Sequence, residues 1–237
     1  MFLKRFFPAK PKHQDFDAPE DLKVKCALVG NAKSGKTAVF KRYLINEFDD
    51  EYIHTEKAQL GSRVCLINEP LLATLTVELW DTPEVIEDPN QIHRVFSDAH
   101  VLVICVDVLS GGVVDFVNAW IENELVQYYV KENQPIICAL ITKCDFCAPS
   151  QLESLAVELD ELVRDPNKSL DLWVAVSAKD KSNLEGQTDI FKRLSRMILM
   201  RIVEERHRLR HQVSYDANRG DFELLHQALF KKKSTRK

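Results

Sequence analysis

Eight consecutive residues, Gly30-Asn31-Ala32-Lys33-Ser34-Gly35-Lys36-Thr37, have the types and spacing to hold a chain of phosphates. The glycines let the backbone wrap so closely that successive N–H groups and a helix N-terminus point at the anion. Lys36 is placed to reach β- and γ-phosphates, and Thr37 to put its hydroxyl on Mg²⁺. Glycine usage alone would produce this pattern in about one chain per hundred of this length. Here an apolar run, Lys23–Val29 (KVKCALV), comes directly before it and a helical stretch, Thr37–Phe48, directly after. Strand, loop and helix together are what phosphate binding requires.

Two later stretches speak to the base. Thr142-Lys143-Cys144-Asp145 closes one apolar run and Ser177-Ala178-Lys179 closes the next. Ligands of open α/β sheets lie beyond such carboxyl ends. A carboxylate at Asp145 accepts from both guanine N1–H and the exocyclic amine, a pair of donors that adenine lacks. Lys143 has a stem long enough to lie along the base plane, and the Ala178 N–H can donate to the guanine carbonyl. Each short motif alone also reads as a solvated turn; their order after a phosphate loop is what gives them meaning. Asp81, delivered at the end of the run Ala73–Trp80, is placed to hold a metal.

The elements that must position these residues follow from the apolar pattern. Arg63–Ile67 and Ala73–Trp80 read as strands joined by a turn at Asn68-Glu69-Pro70. In the second, Leu75, Val77 and Leu79 alternate with Thr74, Thr76 and Glu78, as in a half-buried strand. His100–Val108, Pro135–Thr142 and Leu172–Val176 are near-continuous apolar runs, which suits strands covered on both faces. Amphipathic helical segments lie at Val113–Val130, Gln151–Val163 and Asp189–Arg210. Alternating strands and helices predict βαβ units and a doubly wound α/β sheet. The expected organisation is an N-terminal extension over 1–20, one domain over 21–205, and a helical, basic extension over 206–237.

The whole-chain totals narrow the classes. With 237 residues, 45% hydrophobic and 29% charged, the composition is that of an ordinary globular protein. A formal net charge of −4 gives no general attraction to nucleic acid. No apolar run reaches the ~20 residues of a membrane-spanning helix, and MFLKRFFPAKPK has too short an apolar part for a signal peptide. Cys26, Cys65, Cys105 and Cys138 lie inside apolar runs, a usage that suggests reduced thiols and the cytoplasm. Cys144 and Cys147 form one C-x-x-C without a second pair, which reads as ordinary packing. His207 and His211 share a helical face, but Arg208 stands where a zincin needs Glu, so solvated histidines are expected.

At this point the chain resembles a small GTPase of the Ras superfamily, nearest its Rab-like branch. The stretch GKTAVFKRYLINEFDDEYIHT, Gly35 to Thr55, is similar to the family's phosphate loop, first helix and switch I. WDT at Trp80–Thr82, SDAHVLVICVDV at Ser97–Val108, TKCD and SAK follow in the family's order, over about residues 22–205. The resemblance implies a P-loop NTPase fold: three layers α/β/α, a mostly parallel six-stranded sheet with flanking helices, and small G-protein topology. It implies GTP or GDP with Mg²⁺ as ligands. Position by position, Thr55 is the switch I threonine on the metal and γ-phosphate, Phe48 the aromatic over the guanine edge, and Asp81 a metal ligand through water. Thr142 stands where many members have Asn, and Thr also occurs there.

The departures lie where hydrolysis would be driven. After the strand the family usually reads D-T-A-G-Q-E, and this chain reads Asp81-Thr82-Pro83-Glu84-Val85-Ile86. Glu84 replaces the glycine that senses the γ-phosphate, and its carboxylate repels that phosphate. Val85 occupies the place of the water-positioning glutamine and can do none of its work. Ala32 crowds the space an incoming arginine finger would use. Lys33 either adds positive charge over the phosphates or points into solvent. No side chain is assigned a catalytic role, and losing one aligned polar group at a transition state costs about 10²–10³ in rate. A glycine after the switch I threonine is also missing, so family effector contacts do not transfer.

No cysteine follows Cys147 and residue 2 is Phe, so no lipid anchor is expected and membrane contact is at most weak and peripheral. Leu224, Leu225, Ala228 and Leu229 form a short apolar stripe that folds back or docks a partner groove. Two functions are then open. One is a slow or partner-dependent guanine-nucleotide switch in intracellular or ciliary trafficking or assembly, cytoplasmic or held at a vesicle or cilium by an effector or scaffold protein. The other is a hydrolysis-deficient fold that keeps its nucleotide as a structural ligand and serves as a scaffold subunit. An ATP-using P-loop kinase is disfavoured, because TKCD and SAK would have no purpose there.

Overall fold

The computed structural model describes residues 22–67 and 73–216. They divide into two units between Arg196 and Met197. The second is the continuation of the last helix; the sheet and the site belong to the first. The Asn68–Pro70 turn, the N-terminal extension, the 224–229 stripe and the side chains of His207 and His211 lie outside the described residues.

Six strands form one sheet in the order β2-β3-β1-β4-β5-β6. These are β1 (Leu22–Val29), β2 (Gln59–Ile67), β3 (Ala73–Asp81), β4 (Val101–Asp107), β5 (Ile136–Thr142) and β6 (Leu172–Ala175). Only β2 runs antiparallel to its neighbour. All of β5 is buried, and so is β4 except for the half-buried Asp107 at its end, as apolar strands covered on both faces must be. The register sets Leu28 beside Asp81, Val29 beside Ile104, and Asp107 beside Thr142. The carboxyl ends of the parallel strands therefore form one rim.

Among the described residues there are six α-helices: α1 (Lys36–Ile45), α2 (Pro89–Phe96), α3 (Val113–Ile121), α4 (Glu124–Asn133), α5 (Pro149–Arg164) and α6 (Ile190–Asp216). On one face, Phe96, Val117, Val126 and Leu159 close over Ala27 and Ile104. On the other, Tyr43 of α1 meets Phe191 at the start of α6 with ring centroids 4.5 Å apart, and the Tyr43 hydroxyl lies 3.1 Å from Cys65 Sγ. This is the expected three-layer α/β/α arrangement.

Several helix boundaries depart from expectation for local reasons. The first helix was expected to reach Phe48 but stops at Ile45, because Asn46 turns left-handed (φ 58°) and its N–H closes on Arg42 O. Val113–Val130 is two helices rather than one. The Asn123 side chain accepts from the N–H groups of Leu125 and Val126, starting a new helix after Glu122. Replacing Asn123 by Ala should cost about 1 kcal/mol, seen as a lower denaturation midpoint with unchanged slope. The last helix starts at Ile190, where Asp189 Oδ1 accepts from Phe191 and Lys192 N–H, and runs on to Asp216 rather than ending at Arg210. No helix is expected from the sequence pattern between Asp81 and Ser97, yet α2 forms there, capped by Asp88 with Pro89 in its first turn.

The end of α2 is fastened to the centre of the sheet. Lys25 of β1 donates its ammonium to Arg94 O at 2.7 Å and Ser97 O at 2.6 Å, and lies 5.5 Å from the centroid of the Trp80 ring. Among the described residues no helix is long and apolar enough to cross a membrane, and no group of three His, Cys, Asp or Glu side chains could hold a metal. All six cysteines are free.

Candidate nucleotide-binding site

A cavity of about 340 Å³ opens at the rim of strand ends, lined by the 32–37 loop, the 48–55 segment, Thr82–Glu84 and the ends of β5 and β6. The phosphate loop is tied down by close backbone approach. A Cβ on Gly30 would come within 2.3 Å of Cys105 O, so only glycine lets the loop pass over β4. Gly35 sits at φ 85° against the Thr142 side chain, a conformation that favours glycine. Thr142 donates its hydroxyl to Ser34 O at 2.8 Å or to Val106 O at 3.2 Å, fastening β5 to the loop. Lys36 Nζ donates to Gly30 O and Asn31 O, each at 2.8 Å. Burial pushes its pKa down, opposed by the nearby carboxylates of Asp81 and Glu84.

Three oxygen-bearing side chains converge behind the loop. Thr37 Oγ1 donates to Asp81 Oδ2 at 2.7 Å and lies 2.9 Å from Thr55 Oγ1. Asp81 is fully buried and its other oxygen, Oδ1, has no protein partner. Burial pushes this carboxyl's pKa up, and the hydroxyls of Thr37 and Thr55 work against that shift. A buried carboxylate oxygen without a partner, beside two hydroxyls, is the donor set of a hard divalent cation such as Mg²⁺. The residues fit that metal.

The base end is held as firmly. Ser177 donates its hydroxyl to Asp145 Oδ1 at 2.7 Å, and accepts from the N–H groups of Lys179 and Asp180, both at 3.2 Å. That fixes the Asp145 carboxylate against the cavity wall. Lys143 adopts φ 59° and its ammonium pairs with Asp107 Oδ2 at 2.6 Å, which holds its stem in place. Arg42 donates to Ala178 O at 2.5 Å and sets its guanidinium 5.8 Å from the Phe48 ring centroid. Phe48 lines the cavity from the segment after α1.

Nearly every residue singled out in the sequence meets here. Ala32, Lys33, Ser34, Gly35, Lys36 and Thr37 line the cavity, as do Phe48, Thr55, Thr142, Lys143, Asp145, Ala178 and Lys179. Gly30, Asn31, Asp81 and Ser177 stand one layer back. Asn31 turns its side chain away to accept from the Trp120 indole at 3.1 Å. Glu84 faces the cavity, whereas Val85 is outside its lining and 68% exposed. The sequence pattern does not single out Tyr52, Phe146 or Asp107, which the fold brings to this site. Phe146 follows Asp145 directly and could have been found as a second aromatic beside the base; Asp107 shows its role only once β4 and β5 are paired.

A phosphate loop between β1 and α1, with the buttressed carboxylate of Asp145 beyond β5 on a sheet of this order, defines a P-loop protein of small G-protein topology. Residues 25–145 match the family model described as Ras of Complex, Roc, domain of DAPkinase, and the chain belongs to that family; it is also similar to Ras-related and Rho-related proteins. Ras-related protein Rab-32C of Dictyostelium discoideum is 28% identical over 130 residues, covering 55% of this chain and 56% of that protein. Human Ras-related protein Rab-7L1 is 24% identical over 162 residues, covering 68% and 76%. Rho-related protein racI of Dictyostelium discoideum is 24% identical over 189 residues, covering 73% and 85%. The family implies guanine-nucleotide binding.

Proposed function

We propose that the protein is a guanine-nucleotide switch that binds GTP or GDP with Mg²⁺ and hydrolyses GTP very slowly, any faster turnover depending on a partner protein. The observation that carries this reading is the contrast across one cavity. The side chains expected to meet phosphate, metal and base converge at it, Glu84 lines it near the phosphate loop, and Val85 is exposed outside the lining. Thr37 and Thr55 would hold the metal directly and Asp81 through water. A bound Mg²⁺ would neutralise charge on the β- and γ-phosphates. Lys36, held by Gly30 O and Asn31 O, is positioned to exchange those carbonyls for phosphate oxygens. Asp145 orients the base and Phe48 shields its edge. No side chain of this set takes a proton from the attacking water or aligns it, so the barrier to hydrolysis stays high.

The same contrast favours a second reading, in which hydrolysis is absent and the nucleotide is a structural ligand of a scaffold subunit. In either case the resemblance to Rab-like proteins supports a cytoplasmic role in trafficking or assembly, exercised through an effector protein. The test is to denature freshly purified protein and identify the released nucleotide by ion exchange. About one GTP per chain is expected, followed by a slow single-turnover rate. A rate of zero selects the scaffold reading. Rapid conversion of bound GTP to GDP would overturn both, and no nucleotide at all would remove the site.

A further inference from the structure

Lys33 holds the fourth position of the phosphate loop, at φ 61°, with its side chain exposed at the cavity mouth. Its ammonium does not simply extend into solvent: it lies 5.5 Å from the centroid of the Tyr52 ring, on the segment that crosses the same mouth. The other lysines at this cavity are engaged differently. Lys36 is held by loop carbonyls, Lys41 by Asp49 at 2.6 Å and Lys143 by Asp107 at 2.6 Å, while Lys179 stands 5.6 Å from the Phe146 centroid at the base end. Among the described residues at the phosphate end, Lys41 pairs with a carboxylate and Lys36 is buried against loop carbonyls, so Lys33 is the exposed cation there with no carboxylate at salt-bridge distance. Asp50, Glu51 and Glu84 also line the cavity, so carboxylates share its mouth with Lys33.

We propose that Lys33 is a specificity-determining residue for the terminal phosphate: a triphosphate draws its ammonium from the Tyr52 ring, and a diphosphate leaves it there. This rests on the guanine-nucleotide reading of the site. An exposed cation–π contact is weak, and a γ-phosphate brings about two negative charges into reach. The exchange therefore favours the phosphate. Lys33 acts as the counterweight to Glu84, which faces the same space with the opposite charge. The contact also ties nucleotide state to the 48–55 segment: Tyr52 keeps its cationic partner with GDP and loses it with GTP, which changes the surface that segment presents.

The test compares full-length wild type, Lys33→Met and Lys33→Arg, measuring the affinities of Mg²⁺-GDP and of a non-hydrolysable GTP analogue by fluorescence titration. Lys33→Met should bind the triphosphate about tenfold more weakly or worse, with GDP changed less than about twofold, and Lys33→Arg should keep the wild-type ratio. Equal loss for both nucleotides, or no loss, overturns the assignment while leaving the nucleotide reading in place. A wild type that binds neither nucleotide overturns both.

Discussion

Replacing Asp145 by Asn is expected to turn the protein from a guanine binder into a xanthine binder. Guanine presents two donors to this carboxylate, N1–H and the exocyclic amine. Asn offers one acceptor and one donor, so a donor would face a donor at the amine. Xanthine has a carbonyl where guanine has that amine and matches the amide. Ser177 donates to Asp145 Oδ1, and an Asn oxygen at that place keeps the bond, so the new group stays aimed at the base. A pocket built around hydrogen bonds discriminates strongly against the ligand that leaves a buried group unpaired. GDP affinity should fall by about a hundredfold or more, and xanthosine diphosphate should gain by a similar factor. Titrating both nucleotides into both proteins measures it. Unchanged GDP affinity would mean that the base lies elsewhere.

Asp81→Asn should have effects of opposite sign on two measurements. In nucleotide-free protein, the wild-type carboxylate is fully buried with one oxygen unpartnered, and burial disfavours its charge. Removing that charge should raise the melting temperature by a few degrees. With nucleotide present, the same change removes the anionic partner of the metal, so Mg²⁺-dependent tightening of GTP binding should fall by about a hundredfold. A destabilised free protein that kept its Mg²⁺ dependence would show that Asp81 only bridges Thr37 within the fold.

Most of this site could be read in the sequence because its parts are local. The phosphate loop is eight adjacent residues, Asp81 closes an alternating strand, and TKCD and SAK each follow an apolar run. The features that escaped depend on single residues or on distance. Asn46 ends α1 through one left-handed turn, and Asn123 splits a helix whose apolar periodicity runs on unbroken. The Lys143–Asp107 pair joins the end of β4 to the residue just past β5, and the Lys33–Tyr52 contact joins two loops that only the closed fold brings together. Periodicity reports which face a residue occupies. It does not report which side chain from elsewhere arrives there.

The fastening of α2 by Lys25 has a consequence for how far a signal can travel. At the other end of the same connection, Thr82 donates its hydroxyl to Leu28 O at 2.7 Å, so Thr82 is also moored to β1. The chain between them is strung like a rope between two cleats on one deck. With both ends moored, a change sensed at Glu84 is expected to be taken up within residues 83–88 and the start of α2, so a partner that reads nucleotide state on this side would have to grip that short span.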